Sequence, residues 1–342
     1  MAGSAKSAVV LQGGGALGAY ELGAARALYK NPKFSPDLIS GVSIGAVTAV
    51  LLARPKNGMT PLKALDAFWE KVTVPAPLFP GLVRPYAAFL GNPHFFMPRH
   101  DYLNFLNWTS FYDTEPLRRT LEDLVDLDAL KNKEALPRLL VSATNLAKGQ
   151  IDYFYSHSPD YNLTLDHIIA SGSLPPAFPM TSIGTESYWD GGLFDNTPLG
   201  AVLDHLDDAP DVERTVYVVN LFPNVAKIPT NMSEIAARMK NLQFANKSLE
   251  DVKLLSRFNQ VAALMQALET FPGGNPLKDS GAYKAVKRQG YLHVPRIVPI
   301  TPPEVPKEFD DADFSPEAIK TRADEGEAQT EKALKEAGLH VA

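Results

Sequence analysis

Short uninterrupted apolar runs alternate with helically spaced segments along the first fifty residues. Ala8–Gln12 reads as a buried strand, and Ala19–Lys30 as a helix with apolar positions at Tyr20, Ala24, Ala27 and Leu28. Asp37–Val42 gives a second strand and Ile44–Ala53 a second, wholly apolar helix. Strand, helix, strand, helix with short links predicts a parallel sheet covered by helices, an α/β fold. Further strands are expected at Arg138–Ala143, at Ile151–Tyr155 and, most clearly, at Thr215–Phe222. No internal repeat or low-complexity linker interrupts the chain.

Two regions break this rhythm. The stretch Val74–Tyr112 is crowded with proline and with aromatic residues, among them Phe79, Tyr86, Phe89, Phe95, Phe96 and Trp108. It reads as an insertion or cap on the alternating core. Beyond about Pro302 the chain turns charged, and Ser315-Pro316-Glu317 has the form of a helix start, with a capping residue and proline at the first helical position. The expected organisation is a catalytic domain over residues 1–300, carrying the insertion at 74–112, with a charged helical extension over 301–342 packed on it.

Composition narrows the function classes. In 342 residues there is no cysteine, which removes disulfides, thiolate metal sites and a thiol nucleophile. A net charge of −6 argues against a nucleic-acid partner, which calls for a basic surface. The N-terminal residues lack the long apolar core of a secretory signal. The longest uncharged apolar stretch, Ile44–Ala53, is far short of the ~18 residues that span a bilayer. A cytoplasmic, soluble protein is the expectation. No metal or other cofactor is expected either, because the carboxylates and histidines show no ligand spacing, neither HExxH nor an EF-hand loop.

Candidate chemistry starts at two glycine motifs. Gly13, Gly15 and Gly18 fit the dinucleotide fingerprint G-x-G-x-x-G after a strand. That reading wants an acidic residue at the C-terminal end of the second strand, and Asp37 stands at its start instead. The end of that strand runs into Gly41-Val42-Ser43-Ile44-Gly45, a G-x-S-x-G between strand and helix. This is the context of a nucleophile elbow, with Gly41 and Gly45 keeping the turn tight. Both loops then lie at the C-terminal edge of one parallel sheet. Ser43 with free amides at Gly13–Gly15 suggests acyl transfer with an oxyanion hole. For a base, an apolar strand-like approach ends at Asp190, followed by Gly191 and Gly192. Glycines there allow another segment to approach the carboxylate closely, although Asp-Gly-Gly is also an ordinary turn sequence. The loop Ala170–Pro179, rich in small residues and proline, is a candidate wall for the site.

Taken in order, GGGALG, GVSIG, ASGSLPPAFP and DGG resemble the patatin-like phospholipase family of acyl hydrolases, and DADFSPEAIKTRADEG resembles the C-terminal extension of a bacterial subgroup of it. The resemblance implies a doubly wound, mostly parallel α/β fold and a Ser–Asp dyad without histidine. It makes Ser43 the nucleophile, Asp190 the base, and Gly13, Gly14 and Gly15 the oxyanion donors. Many members carry Arg or Lys in the glycine loop where this chain has Leu17. Neutral esters and lysolipids therefore stand beside diacyl phospholipids as substrates. Burial would have to raise the Asp190 pKa for that carboxylate to serve as a base.

Three other readings compete. An α/β-hydrolase triad would place its histidine after Asp190, and of His205, His293 and His340 only His293 is a serious candidate. Ser43 follows the second strand, however, earlier than that fold expects. The same dyad serves an acyltransferase if an alcohol replaces water. A lipid-binding module without turnover would keep the loops but need not keep serine, glycines and aspartate together. The aromatic stretch reads either as a lid or acyl channel with peripheral membrane contact, or as a satellite core. The expected partner is a lipid or other acyl ester; the oligomeric state is not legible.

Overall fold

The computed structural model describes residues 6–74, 90–101, 106–206, 213–288 and 296–339, without the side chains of 246–259 and 262. His293, His340, Phe79, Tyr86 and Phe89 lie outside the described residues.

The first four elements follow the alternation of the sequence: β1 (Lys6–Leu11), α1 (Ala19–Tyr29), β2 (Leu38–Gly41) and α2 (Ile44–Ala53). Helix α3 (Pro61–Val72) is capped by Thr60, whose hydroxyl accepts from the Lys63 amide. A two-stranded pair, β3 (Met97–Pro98) and β4 (Tyr112–Asp113), stands apart from the main sheet. Next come β5 (Arg138–Asn145), β6 (Gln150–Tyr155), β7 (Thr181–Ile183), β8 (Glu186–Asp190), β9 (Arg214–Val219) and β10 (Arg296–Ile300). Strands β10, β9, β1, β2 and β5 form a parallel sheet in that order, and β6, β8 and β7 extend it antiparallel. From β1 the chain winds outward to β2 and β5, then returns to β9 on the other side of β1. The fold is doubly wound and mostly parallel, with its switch point at the C-terminal end of β1.

Both faces of the sheet are covered, which is why its central strands are continuously apolar. Along β1, Val9 and Leu11 pack into the layer that holds α1, α2 and α3, while Ala8 and Val10 face Leu199 and Val202 of the Leu199–His205 helix. In β9, Tyr217 and Val219 take the first face, and Val216 and Val218 the second. That strand stops at Val219, short of the expected Phe222, because the Leu221 and Phe222 amides turn to the buried side-chain oxygen Oε1 of Gln12 at 2.6 and 3.0 Å.

Two long helices belong to the C-terminal part of the chain. The Met232–Glu269 helix, which the sequence pattern did not predict, begins at Asn231, whose side chain caps the Glu234 amide. The Pro316–Glu336 helix starts where its Ser-Pro-Glu signature placed it and lies along α1. Its buried stripe is Ile319, Ala323, Gly326, Thr330 and Leu334, the spacing of one helical face.

Candidate active site

The edge pairings of β5 explain how two distant residues meet. Leu140 and Val141 pair with β6 on one side and with β2 on the other, while Ala143 to Asn145 pair with β6 and with β8. Strands β2 and β8 therefore share one edge of β5 and run head to head along it. The end of β2 leads into Ser43, and the end of β8 is Asp190, opposite Ala143.

Ser43 occupies the sharp turn between β2 and α2 with φ 56° and ψ −123°, a backbone conformation that costs an L-residue energy and persists where surrounding structure enforces it. Here the enforcement is close packing: a Cβ at Gly41 would collide with the Gly45 carbonyl, and one at Gly45 with the Leu11 carbonyl. The Ser43 amide is shared between the carbonyl and hydroxyl oxygens of Ser171, at 3.1 and 3.0 Å. Two residues on, the Ser173 carbonyl accepts the Asp190 amide at 3.0 Å. The small-residue loop from Ala170 thus holds the backbones of both candidate residues.

The Asp190 side chain is buried, 3% exposed. Its Oδ1 accepts from the Gly192 amide at 2.7 Å, and the carboxylate and the Ser43 side chain line the same cavity. Burial pushes this carboxyl up to about 7 from 3.8, and the Gly192 amide and the nearby Ser43 hydroxyl restrain the rise. Gly191 and Gly192 form a single 3₁₀ turn after the strand, which is what brings the Gly192 amide back to the carboxylate.

The glycine loop after β1 faces the same space. Among the described residues, the amides of Gly13, Gly14 and Gly15 have no acceptor within the protein, and all three residues line a cavity of about 220 Å³ together with Ser43 and Asp190. Two residues that the motif reading missed hold this loop. Gln12 bridges Thr197 and the Phe244 carbonyl through its amide nitrogen, and the Leu221 and Phe222 amides through its oxygen. Asn196 donates to the Gly13 carbonyl at 3.1 Å. An uncharged polar residue directly after β1, and the Asp-Asn-Thr-Pro run after the Asp-Gly-Gly, were the available signals. Asp37 sits at the opposite end of the sheet, binding Lys6 and the Ser7 amide at 2.8 and 2.9 Å, so no acidic residue stands where a ribose would need one.

The rest of the cavity is apolar. Phe95, Phe96 and Tyr112, from the aromatic stretch, meet Phe178 and Phe314 with ring centroids 5.2–6.5 Å apart. The long helix adds Phe244 and Lys240, whose ammonium group pairs with Asp311. No histidine lines the cavity among the described residues. His167 is spent on the cap at Thr164, and His205 bonds the Ala201 carbonyl. Among the described residues no group of side chains could hold a metal ion, and no helix is long and apolar enough to cross a membrane.

A family model described as patatin-like phospholipase matches residues 9–203, more than half of the chain. The chain belongs to this family. The patatin-like phospholipases are lipid acyl hydrolases, and the matched segment contains Ser43, Asp190 and both glycine motifs. No curated protein matches the chain at a significant level. Three solved structures are similar to this patatin-like chain, and two of them contain the same protein, ExoU. VipD from Legionella pneumophila is 18% identical over 97% of this chain and 67% of its own, with a TM-score of 0.47. The type III effector ExoU is 13% identical over 99% of this chain and 54% of its own, with a TM-score of 0.37. The heterodimeric ExoU–SpcU complex of Pseudomonas aeruginosa gives 19% identity, 84% and 66% coverage, and a TM-score of 0.31. The chain therefore spans about half to two thirds of the length of these proteins.

Proposed function

We propose that this protein hydrolyses carboxylic esters of lipids through an acyl-enzyme on Ser43, with Asp190 as general base and the Gly13, Gly14 and Gly15 amides as oxyanion hole. One observation carries the reading. A serine in a strained turn and a buried carboxylate whose pKa is pushed up to about 7 meet with the glycine loop in one apolar cavity.

Each part has a chemical task. Asp190 takes the proton as Ser43 Oγ attacks the ester carbonyl, and the oxygen of the tetrahedral intermediate turns toward the glycine amides. The same carboxyl returns its proton to the leaving alcohol. Water then attacks the acyl-enzyme, and the cycle reverses through Asp190. A carboxylate with a pKa near neutral is a far better base than one near 3.8, and at neutral pH it exchanges protons in both directions. Preorganised amides carry much of the remaining acceleration, since one lost oxyanion donor costs about 3–4 kcal/mol in comparable sites. The aromatic wall favours an acyl chain over a polar group.

The test is covalent labelling with a fluorophosphonate ester followed by intact mass measurement, on wild type and on Ser43→Ala, Asp190→Asn and His293→Ala. One adduct is expected on wild type and His293→Ala, none on Ser43→Ala, and slow labelling of Asp190→Asn. Loss of labelling in His293→Ala would replace the dyad with a triad, and an unlabelled wild type would end the hydrolase reading.

A further inference from the structure

Phe314 and its neighbours come from beyond the family match, yet they wall the cavity beside the glycine loop. The contact is direct, because a Cβ on Gly15 (φ +58°) would collide with the carbonyl of Asp311. Ala312 and Phe314 continue the wall, and the Phe314 carbonyl accepts the Val74 amide at 3.0 Å. One side chain ties this wall to the loop. Arg322, in the second turn of the Pro316–Glu336 helix, has a side chain only 12% exposed. Its Nη1 donates to the Asp313 carbonyl at 2.7 Å and to the Ala16 carbonyl at 3.3 Å, and Nη2 lies 3.8 Å from the Asp310 carboxylate. Ala16 directly follows the three glycines, in the 3₁₀ turn Gly15–Gly18. From Gln12 to Tyr20 the loop itself carries no charged residue.

We infer that Arg322 is a positioning residue for the proposed hydrolysis: it clamps the 310–314 segment to the glycine loop and so fixes the direction of the Gly13–Gly15 amides. The inference rests on the acyl-hydrolase reading of the preceding subsection. A planar guanidinium suits this task because one head reaches two carbonyls and a carboxylate at fixed angles. The helix does not depend on it. Ser315 caps its first turn, and its buried stripe from Ile319 to Leu334 seats it on α1. Removing the guanidinium therefore loosens the clamp and leaves the scaffold standing.

The consequence is selective. Attack on a carbonyl or on a fluorophosphonate puts negative charge on an oxygen at the glycine amides, so both reactions slow when the amides lose their aim. Binding of the acyl chain by the aromatic wall changes little. A misplacement of about 1 Å costs on the order of 100-fold in rate.

The full chain is compared as wild type, Arg322→Ala and Arg322→Lys for fluorophosphonate labelling rate, kcat and KM on a p-nitrophenyl ester, and melting temperature. Arg322→Ala is expected to label and turn over ~10- to 100-fold more slowly with KM within about 3-fold, and Arg322→Lys to fall between it and wild type. Labelling of Arg322→Ala at the wild-type rate, a loss confined to KM, or a loss equal to the unfolded fraction overturns the inference. If Arg322→Ala does not fold, Arg322→Lys decides: slower labelling at an unchanged melting temperature supports the clamp, and wild-type labelling rejects it. A wild type that takes no label removes the hydrolase reading itself, whereas a labelled wild type with an indifferent Arg322 removes the clamp alone.

Discussion

Asp190 works against the stability of the fold that holds it. In the unfolded chain its carboxyl ionises near 3.8, and in the folded protein near 7. Below 3.8 both states hold the proton and the group is neutral to stability. Between 3.8 and 7 the unfolded chain releases a proton that the folded one retains, so stability falls as pH rises through that window and stays lower above it. A shift of about 3 units corresponds to at most ~4 kcal/mol. Asp190→Asn, which cannot ionise, is therefore expected to exceed wild type in stability at pH 8, by up to about 4 kcal/mol, with little difference at pH 4. Urea unfolding at the two values tests this; a gap of the same size at both would contradict it. The buried Glu21 carboxyl, also raised by burial, has the same sign but is common to both proteins and cancels. Activity should move oppositely, with kcat/KM of wild type rising with pH around a midpoint near 7 as Asp190 becomes a base. At this scale the sequence is most readable where chemistry is local. Ser43 declares itself by two flanking glycines between strand and helix. Gln12 and Asn196 do not, because their partners lie in distant segments that only the fold brings near.

Between elements, α1 and the Pro316–Glu336 helix approach each other closely. A Cβ on Gly326 would collide with the Tyr20 carbonyl, and one on Gly23 with the Ala323 carbonyl, so backbone meets backbone. Glycine in a helix normally weakens it, and alanine restores roughly 0.5–1 kcal/mol. Gly326→Ala should reverse that sign and cost about 1–3 kcal/mol, because the helices must separate. Gly200, in the Leu199–His205 helix, has nothing within 4 Å of the corresponding position. Gly200→Ala should therefore stabilise, and chemical denaturation of the two variants gives opposite shifts if packing governs. Equal shifts of one sign would refute the argument. Legibility differs between the two late helices for a physical reason. Ser315-Pro316 fixes the start of one, and its small and apolar residues keep a single stripe. The Met232–Glu269 helix leaves Met232, Ile235 and Met239 exposed while turning Asn241 and Phe244 inward, so apolar residues lie on more than one side and no periodicity marks it.

At the scale of the whole molecule, the chemistry and its container have different origins along the chain. The parallel core was legible from the first fifty residues, because strands buried on both faces must be continuously apolar. The proposed dyad and oxyanion glycines all lie within 9–203. The cavity around them is closed by Phe222 and by residues further on, Lys240, Phe244, Asp311, Ala312 and Phe314, all of them beyond the matched segment. A chain ended after Thr301 keeps every candidate catalytic residue and the ten strands of the described residues. It loses the wall next to Gly15 and uncovers the side of α1 that carries Tyr20 and Gly23. If motifs alone made the site, this fragment would label with fluorophosphonate like the full chain. The packing argues otherwise: it should label at least ~10-fold more slowly, since the amides lose their support, and it should bind a hydrophobic dye through the uncovered apolar surface. Full-rate labelling of a fragment that also melts cooperatively would show that the late segments only decorate a finished enzyme. The expected result makes them part of it.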